Sequence, residues 1–512
     1  MSNKKKKRRY PVIENEIHEV EITDLTHDGL GVAHIDGYPL FIENALTNEV
    51  VNMKVDHVGK RMGHGRAVEI LKQSPHRVEI KDEASNQSGT MSLHHLSYEQ
   101  QLIFKQNQVK KLLSKVGGLT DVPVHETVGM EHPYGYRNKA QIPVRKIYGQ
   151  LTTGFYKKRS HQLIPIEDFI IQDPKIDEAI VIVRDILRKY HLEAYNEESH
   201  TGDIRHVIVR RGHVTGELMI VLVTRSLNLP KRQEIVDAIK EELPEVVSII
   251  QNITTEKTNV ILGKQSMVLF GQDYYTDELL GHTFKISHQS FYQINSEQTE
   301  KLYGFAVEFA DLTGEEIVVD AYSGIGTMTL ALAEEAKKIY GVEIVAPAIE
   351  NARTNAADNG IENVEYEVAD AGDWLVEKAK EGMAIDVVVV DPPRKGLAKE
   401  FIEAVLEIQP ERMVYVSCNP STLSRDLKLL HEGGYTIDKV QPVDMFPQTH
   451  HVETVVLLSR IKGNKSIQVD IDLNEVDLTK AESKATYLQI QDYVEKNYDL
   501  KVSSLYTAYC IS

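Results

Sequence analysis

The chain has 512 residues, of which 42% are hydrophobic and 26% charged; this composition excludes disordered, collagen-like and disulfide-scaffold proteins, and the length predicts roughly three domains. The net charge of −18 is not that of a protein coating a nucleic-acid backbone, and the two cysteines, Cys418 and Cys510, can build neither a disulfide framework nor a four-thiolate metal site. Because no run of about 18 apolar residues occurs and no apolar stretch follows the N-terminal MSNKKKKRRY, we expect a cytoplasmic protein without membrane spans or a secretory signal.

The first part of the chain divides into a basic tail at 1–12, where residues 4–9 are all Lys or Arg, and a segment at 13–77 that is rich in short strands. Asp36-Gly37 interrupts two apolar runs and is a hairpin signal. Five short strands with glycines at the bends predict a small closed β-barrel of the OB type.

The run TDLTHDGLGVA at 23–33 resembles a TRAM domain, and the resemblance covers the whole 13–77 segment. TRAM domains are RNA-binding appendages of RNA-modifying enzymes, so the resemblance implies a role in binding RNA. The segment is weakly acidic, which leaves a purely structural barrel as the alternative.

Residues 78–284 are predicted to form a mixed α/β central domain that faces RNA. It opens with an amphipathic helix between Leu96 and Val116, which Gly117-Gly118 ends. Strands such as HVIVRRG and ELMIVLVT alternate with helical stretches. The helical stretches lie at 174–191 and 230–242.

The stretch from Arg137 to His161 is the feature that points to RNA. It carries seven cations and no Asp or Glu, and aromatic residues are interleaved with it, so it offers charges for phosphates and flat surfaces for bases. In an acidic chain this concentration favours a nucleic-acid surface over a solvated pair of strands. The cations are Arg137, Lys139, Arg145, Lys146, Lys157, Lys158 and Arg159, and the aromatic residues are Tyr134, Tyr136, Tyr148, Phe155 and Tyr156.

Residues 285–460 are predicted to form a Rossmann-like catalytic domain. A buried strand, a Gly-rich turn, a helix, a second strand and another helix follow one another, which is a βαβ unit. Two further buried strands, in IDVVVVDPP and RMVYVSCNP, end in polar residues, as expected where a parallel sheet presents its carboxyl ends to a ligand. The acidic tail at 461–512 carries no recognisable chemistry.

The loop DAYSGIGT at 320–327 follows a strand and opens a helix, so its glycines let a nucleotide-like cofactor approach the backbone. Thr329 stands where a dinucleotide fingerprint needs a third glycine or alanine. Glu343 ends the next strand, where a carboxylate accepts hydrogen bonds from ribose hydroxyls; a solvated carboxylate is the alternative. Asp370 ends a third strand-like segment and is a candidate for contact with an adenine amino group.

Cys418 follows a buried strand and precedes a helix that Ser421 or Thr422 would cap. We therefore expect helix N-terminal amides to lower its pKa, which favours a nucleophile over an inert buried cysteine. The turn Asp391-Pro392-Pro393-Arg394 ends in an arginine. Amino-group methyltransferases have an aromatic residue at this last position, and RNA cytosine-5 methyltransferases have a cysteine there, so the turn matches neither class.

A thiolate at this position suits methylation of carbon 5 of uracil, which is a poor nucleophile until a thiolate adds to carbon 6. The activated ring then takes the methyl group of S-adenosylmethionine, and a base must remove the carbon-5 proton before the thiol is eliminated. Glu453, which precedes the buried strand VVLLSR, fits that base, and a solvated Glu is the alternative.

In chain order, FYQIN, DAYSGIG, GVE, DPPRKG, SCNP and HVETV resemble the motif series of the RNA uracil-5 methyltransferases. With the TRAM barrel, the arrangement is more similar to the branch that acts on 23S ribosomal RNA, including the RlmCD type, than to a TRAM-free tRNA branch. The resemblance implies an S-adenosylmethionine-dependent enzyme whose partner is RNA, not DNA or a membrane, and we expect a monomer. It also implies that Gln293, Tyr322, Glu343 and Asp391 bind S-adenosylmethionine, that Cys418 is the nucleophile and that Glu453 is the proton acceptor.

One segment departs from the family pattern. Several members ligate an iron–sulfur cluster through a Cys-Gly-Gly-Cys stretch, but this chain has Ser88 and Met91 in place of those cysteines. Asp82 and Phe169 occupy the remaining ligand positions. Since none of these residues supplies a thiolate, we expect neither an iron–sulfur cluster nor another metal.

Three alternatives to a ribosomal RNA uridine methyltransferase stay open at this point. The first is a tRNA uridine methyltransferase. The second is a catalytically silent RNA-binding assembly factor, against which the intact Cys418 and Glu453 argue. The third is a nicotinamide-dependent dehydrogenase, which Thr329 and DPPRKG disfavour.

Overall fold

The computed structural model describes residues 10–158 and 160–461. The predictions for the basic residues of the N-terminal tail, for Arg159 and for the C-terminal tail with Cys510 lie outside the described residues. Within the described part of the chain, no helix is both long enough and apolar enough to cross a membrane.

A six-stranded sheet forms the N-terminal segment. Its strands are Ile17–Glu21 (β1), Asp24–Leu25 (β2), Gly31–Ile35 (β3), Tyr38–Glu43 (β4), Val50–Val58 (β5) and Gly63–Lys72 (β6). They pair in the order β1-β5-β6-β4-β3-β2. The edge strands β1 and β2 are consecutive in the chain, and Thr23 between them donates a backbone hydrogen bond to Val32 of β3 (2.8 Å), so the sheet closes on itself. The predicted barrel is confirmed, with the two-residue β2 as an additional strand.

Two helices lead out of the barrel, Glu83–Ser88 (α1) and Tyr98–Leu112 (α2). A π-helical turn at Leu113–Gly117 extends α2, and Gly118 ends it in the left-handed region with φ 70°. A residue without a Cβ adopts this conformation without strain, so the predicted glycine stop is confirmed.

A seven-stranded sheet forms the centre of the molecule. Its strands are Lys139–Ile147 (β7), Gln150–Tyr156 (β8), Leu163–Pro165 (β9), Ile204–Arg211 (β10), Leu218–Thr224 (β11), Val246–Ile253 (β12) and Gln265–Gly271 (β13). Their order is β13-β12-β11-β10-β7-β8-β9, and only β11 and β12 are parallel neighbours. Helices Pro174–Lys189 (α3) and Arg232–Glu242 (α4) pack on this sheet, as the sequence predicts.

The C-terminal part contains a hairpin and a second seven-stranded sheet. The hairpin strands are Tyr274–Leu279 (β14) and His282–Ser287 (β15). The sheet strands are Ile317–Ala321 (β16), Lys338–Glu343 (β17), Val364–Val368 (β18), Val387–Val390 (β19), Arg412–Ser417 (β20), Tyr435–Val443 (β21) and Glu453–Arg460 (β22). The helices are Ser296–Ala310 (α5), Thr327–Ala333 (α6), Ala346–Asp358 (α7), Ala371–Lys380 (α8), Lys399–Ile408 (α9) and Pro420–Glu432 (α10).

The order of the C-terminal sheet is β18-β17-β16-β19-β20-β22-β21. Its first five strands are parallel, and β22 runs antiparallel to β20. All four valines of β19 are buried, as a central strand covered by helices on both faces requires. The order reverses at β16 and β19, so a ligand crevice is expected at the carboxyl ends of these strands. The predicted Rossmann-like α/β domain is confirmed.

Packing crosses the predicted domain limit at 284 and 285. Helix α2 contacts α10 and β21, and the β14–β15 hairpin contacts α6 and α7. Both elements, which the sequence places in the central domain, therefore pack against the C-terminal domain, and the exact domain limits stay a prediction.

Candidate active site

The six residues that the sequence singles out converge on the carboxyl edge of the C-terminal sheet. Ser417, the last residue of β20, pairs with Thr454 near the start of antiparallel β22. The next residue along β20 is Cys418, and the preceding residue along β22 is Glu453. The strand register therefore places the predicted nucleophile and the predicted base next to each other.

The same edge carries the predicted cofactor residues. Ala321, the last residue of β16, pairs with Val390 of β19, so Tyr322 and Asp391 follow from neighbouring strand ends. Glu343 ends β17 on the other side of β16. The order of the strands thus arranges the predicted cofactor side chains beside the Cys418–Glu453 pair.

Cys418 is a half-buried free thiol. Burial, Glu453 and Asp391 together raise its pKa to about 11, and the positive charge of Arg394 acts in the opposite direction. The net shift is opposite to the predicted lowering, although a backbone hydrogen bond at Cys418 does act to lower the pKa. Asn419 caps α10 by accepting a hydrogen bond from the Ser421 amide (3.0 Å), so the cap is neither Ser421 nor Thr422.

Glu453 is almost fully buried, with 3% of its surface exposed. Burial and the neighbouring Asp391 raise its pKa to about 8, and Arg394 again opposes this effect. Burial also raises the pKa of Asp391 to about 7. The carboxyl groups of Glu453 and Asp391 and the Cys418 thiol therefore lie close together and disfavour one another's charged forms. A cationic ligand would favour those charged forms.

Arg394 is the cation of this site, and sequence reasoning gave it no role. Its backbone carbonyl accepts hydrogen bonds from Asn419 Nδ2 (3.1 Å) and Thr422 Oγ1 (3.3 Å). The start of α10 therefore fixes the turn that follows β19. Amino-group methyltransferases have an aromatic residue at this position. The arginine that stands here instead was the signal that could have identified Arg394 as part of the site.

The glycine-rich turn after β16 has a backbone that few residues adopt. Tyr322, Gly324 and Gly326 have φ values of 72°, 56° and 89°. A positive φ at a tyrosine is strained, and strain of this kind concentrates at ligand sites. The backbone amide of Tyr322 is held by the carbonyl of Val342 (2.9 Å).

Glu343 is positioned by this turn and by the chain that follows it. Its Oε2 accepts a hydrogen bond from the Gly324 amide (3.2 Å), and its Oε1 accepts one from the Val345 amide (2.9 Å). Each carboxylate oxygen keeps acceptor capacity beyond these bonds. This orientation suits the recognition of a pair of ribose hydroxyls.

Gln293 joins the site from outside the sheet. Its side chain hydrogen-bonds to Tyr303 of α5, a buried residue that also senses the charge of Asp391, and burial raises the pKa of this tyrosine. Asn138 Nδ2 donates to the Gln293 carbonyl (2.9 Å) and thereby attaches the motif to the start of β7. The sequence did not identify Tyr303, because it lies inside a helix whose pattern suggests only packing.

Asp320 and Asp370 complete the acidic edge. Thr329 Oγ1 donates to Asp320 Oδ2 (2.5 Å), which explains why a threonine stands where a dinucleotide fingerprint has a small residue. Burial raises the pKa of Asp320 to about 7. The Asp370 carboxylate caps α8 by accepting hydrogen bonds from the amides of Gly372 and Asp373, so one of its oxygens has a structural role.

A buried ion pair holds the segment that leads into Glu453. Lys105 of α2 and Asp444 are both fully buried, and their charges pair directly. The Lys105 Nζ also donates to the Phe446 carbonyl (3.1 Å), and Tyr98 donates to Asp444 (2.8 Å). Helix α2 is thereby bonded to the loop between β21 and β22.

The barrel reaches the same loop. His450 Nδ1 lies 2.9 Å from Ser92 Oγ, and its charge interacts with His27 and Asp28 in the turn between β2 and β3. The Gln108 side chain of α2 donates to the His27 carbonyl (2.9 Å). The turn of the TRAM-like segment therefore lies at the rim of the candidate site.

Apolar side chains fill the region in which several family members ligate an iron–sulfur cluster. Met91 and Phe169, which take the place of ligands, are both buried in one hydrophobic cluster with Tyr136. Ser88 Oγ hydrogen-bonds to Thr90 Oγ1 (2.8 Å). The described residues contain no group of three or more His, Cys, Asp or Glu side chains that could hold a metal ion.

The predicted basic surface is only partly free. Acidic residues from other parts of the sequence pair with three of its cations, although the stretch itself contains no Asp or Glu. The pairs are Arg145–Glu197, Lys146–Glu193 (3.1 Å) and Lys158–Glu43 (3.0 Å).

The aromatic part of that surface also differs from the prediction. Tyr136 is buried, and Phe155 packs against Phe169 with ring centroids 4.5 Å apart. Tyr156 is half-buried beneath Arg145. Only Tyr134 and Tyr148 among the five predicted aromatic residues present exposed rings.

The fold and this edge define an S-adenosylmethionine-dependent methyltransferase. A family model described as tRNA (uracil-5-)-methyltransferase matches residues 97–461, and a TRAM domain model matches residues 11–68. The chain belongs to the RNA uracil-5 methyltransferase family and carries an N-terminal TRAM domain, as its motif series predicts.

Relatives and a solved structure agree with this family. A protein of Enterococcus faecalis described as an uncharacterized RNA methyltransferase is 52% identical over 88% of this chain and 99% of its own length. A protein of Lactiplantibacillus plantarum with the same description is 54% identical over 88% of this chain and 98% of its own length. The crystal structure of Pyrococcus abyssi tRNA (uracil-54, C5)-methyltransferase in complex with S-adenosyl-L-homocysteine is 27% identical, covers 86% of this chain and 99% of its own, and has a TM-score of 0.69.

The apolar filling around Met91 and Phe169 leads to a test of metal content. We expect protein purified under nitrogen to contain neither stoichiometric iron nor acid-labile sulfide, because no thiolate lies at the ligand positions. Colorimetric iron and sulfide assays and the visible absorption spectrum measure this directly. Stoichiometric iron and sulfide, with charge-transfer absorption, would show that other residues hold a cluster.

Proposed function

We propose that this protein methylates carbon 5 of uridine in RNA through a covalent bond between Cys418 and carbon 6. Cys418 is the nucleophile and Glu453 the proton acceptor. The observation that carries the proposal is the register of β20 and β22, which pairs Ser417 with Thr454 and thereby sets these two side chains together.

The step starts from the Cys418 thiolate and the Glu453 carboxylate, whose protons have passed to solvent, and S-adenosylhomocysteine is the leaving group of the methyl transfer. The Cys418 thiolate bonds to carbon 6, and the electron pair of the 5,6 double bond moves towards carbon 5 and the carbonyl at carbon 4. S-adenosylmethionine, when bound, supplies an electrophilic methyl group that carbon 5 takes. Glu453 then removes the carbon-5 proton, the double bond re-forms, and the thiolate leaves.

The site fits the proposed cofactor. S-adenosylmethionine carries a sulfonium and an ammonium charge, and the site has an excess of acidic groups in Asp391, Glu453 and Asp320. Glu343 would take the ribose hydroxyls. Gln293, Tyr322 and Asp391 would contact the remainder of the cofactor from the neighbouring strand ends.

The raised pKa values describe a resting state. At neutral pH the free protein holds Cys418 as a thiol and Glu453 largely as an acid, because each pKa lies above 7. A thiol is less easily oxidised than a thiolate, so this state protects the nucleophile. Both groups must lose a proton before their steps, and Arg394 is placed to favour their charged forms.

We propose 23S ribosomal RNA as the substrate and the cytoplasm as the location. Support for ribosomal RNA comes from the resemblance of the motif series and TRAM domain to that branch. The alternative is tRNA, and a specific observation favours it: the Pyrococcus abyssi protein, whose structure covers 86% of this chain, is described as a tRNA (uracil-54, C5)-methyltransferase.

The nucleophile and the base are tested with two substitutions. Cys418→Ala should keep S-adenosylhomocysteine binding and lower kcat by about 10³-fold or more, because Cys418 is the only thiol in the described part of the chain. Glu453→Gln should form the adduct but release it slowly, because proton removal precedes elimination. The measurements are calorimetry for binding, methyl transfer for turnover, and a denaturing gel for the protein–RNA adduct.

The matched control is Cys510→Ser, which removes the other cysteine of the chain and should leave turnover intact. Normal turnover by Cys418→Ala would contradict the covalent mechanism. If Glu453→Gln lost activity without accumulating an adduct, Glu453 would not be the base.

The substrate is tested by mapping 5-methyluridine in ribosomal RNA and tRNA from a deletion strain. We expect loss of the modification from 23S ribosomal RNA only, and its return when the intact gene is supplied. Return with the Cys418→Ala gene would contradict the proposed nucleophile. Loss confined to tRNA would replace the ribosomal proposal with the alternative, and no loss in either RNA would contradict both.

A further inference from the structure

Two cations of the basic stretch differ from the others in their surroundings. Arg137 and Lys139 are half-buried, whereas Lys146 and Lys158 are exposed and paired with acids. Burial and Tyr136 act on the charge of Arg137, and burial, Arg210 and Arg137 act on the charge of Lys139. No carboxylate is among these groups in the described part of the chain.

The strand register makes the excess of positive charge larger. Lys139 at the start of β7 pairs directly with Arg210 at the end of β10, so two cations face each other across the sheet. Like charges in this relation destabilise a sheet. Arg210 is buried and donates to the carbonyls of Ser287 (2.5 Å) and Ser290 (2.8 Å), which leaves Lys139 without a comparable set of acceptors.

Burial of an unpaired charge is costly unless a partner of opposite charge is supplied. Burial, Arg210 and Arg137 together lower the pKa of Lys139 to about 8, because each of them disfavours the charged form of the lysine. An anionic ligand at this point would relieve the repulsion and restore the full charge of Lys139. Arg137 and Lys139 therefore have the properties of an anion site.

The position of these cations identifies the anion. Asn138 lies between them, and its side chain donates to the Gln293 carbonyl (2.9 Å) in the proposed cofactor motif. Tyr136, which contacts Arg137, donates to the Pro447 carbonyl (3.0 Å) in the loop that leads to Glu453. The anion site is thus flanked by both segments of the candidate active site.

We propose that Arg137 and Lys139 bind a backbone phosphate of the RNA strand that carries the target uridine. This proposal rests on the proposed function, which requires an RNA strand at this edge. A target base must leave its stack to reach Cys418, and a fixed phosphate beside the site would offset part of that cost. The exposed, paired cations further along β7 do not provide this contact.

The test compares two substitutions in the same strand of the full-length protein. Lys139→Gln removes the unpaired cation, and Lys146→Gln removes a cation that is exposed and paired with Glu193. Binding of a fluorescein-labelled oligouridylate is measured by anisotropy over a series of salt concentrations. Each phosphate contact to single-stranded nucleic acid contributes about 0.7 to the slope of log K against log salt.

We expect Lys139→Gln to weaken binding several-fold and to reduce the salt slope by about 0.7, while Lys146→Gln leaves the slope unchanged. Lys139→Arg should keep the wild-type slope. The melting temperature of Lys139→Gln should be equal to or above that of the unaltered protein, because the repulsion from Arg210 is relieved. Arg137→Gln should lower the slope by a similar amount.

An unchanged slope in Lys139→Gln would overturn the phosphate site, whatever the melting temperature. An equal fall of the slope in Lys146→Gln would also overturn it, because the contact would then be diffuse. The methylation map is read separately. If Lys139→Gln lowers the salt slope but the deletion strain loses no 5-methyluridine, the anion site stands and the proposed function is contradicted. If the deletion strain loses 5-methyluridine but the salt slope of Lys139→Gln is unchanged, the proposed function stands and the anion site is contradicted.

Discussion

The pairing of β20 with antiparallel β22 is the constraint on which the rest of the site depends. It opposes Ser417 to Thr454 and therefore Cys418 to Glu453. Because side chains alternate along a strand, a shift by one residue would turn Glu453 to the other face of the sheet. The fully buried Lys105–Asp444 pair fixes the loop that enters β22, so the register is supported from helix α2 as well.

Two regions of opposite charge lie on either side of Gln293. The edge of the sheet concentrates Asp391, Glu453 and Asp320 in a poorly solvated space, which suits a cationic cofactor. The start of β7 concentrates Arg137 and Lys139, which suits a polyanion. We thus propose that a chain with a net charge of −18 combines an acidic cofactor site with a small, local contact for RNA.

Local patterns predicted the elements and their order, and tertiary contacts determined the electrostatics. The periodicity of α3 and α4 and the motifs at the strand ends depend on neighbouring residues, so the sequence alone identified them. The pKa of Cys418 is raised by burial, Glu453 and Asp391, which depend on how other strands pack around it, so the net direction differs from the predicted lowering. The paired cations of the basic stretch were missed for the same reason, since their acidic partners lie far away in the sequence.

The most direct test of the central claim uses RNA in which the target uridine is replaced by 5-fluorouridine. In the proposed mechanism Glu453 removes a proton from carbon 5, and because a base cannot remove fluorine as a cation, elimination is blocked after methyl transfer. Digestion and mass spectrometry of the trapped complex should locate one methylated 5-fluorouridine on the peptide that contains Cys418. A methylated 5-fluorouridine without any covalent bond to the protein, or a bond to another residue, would contradict the account.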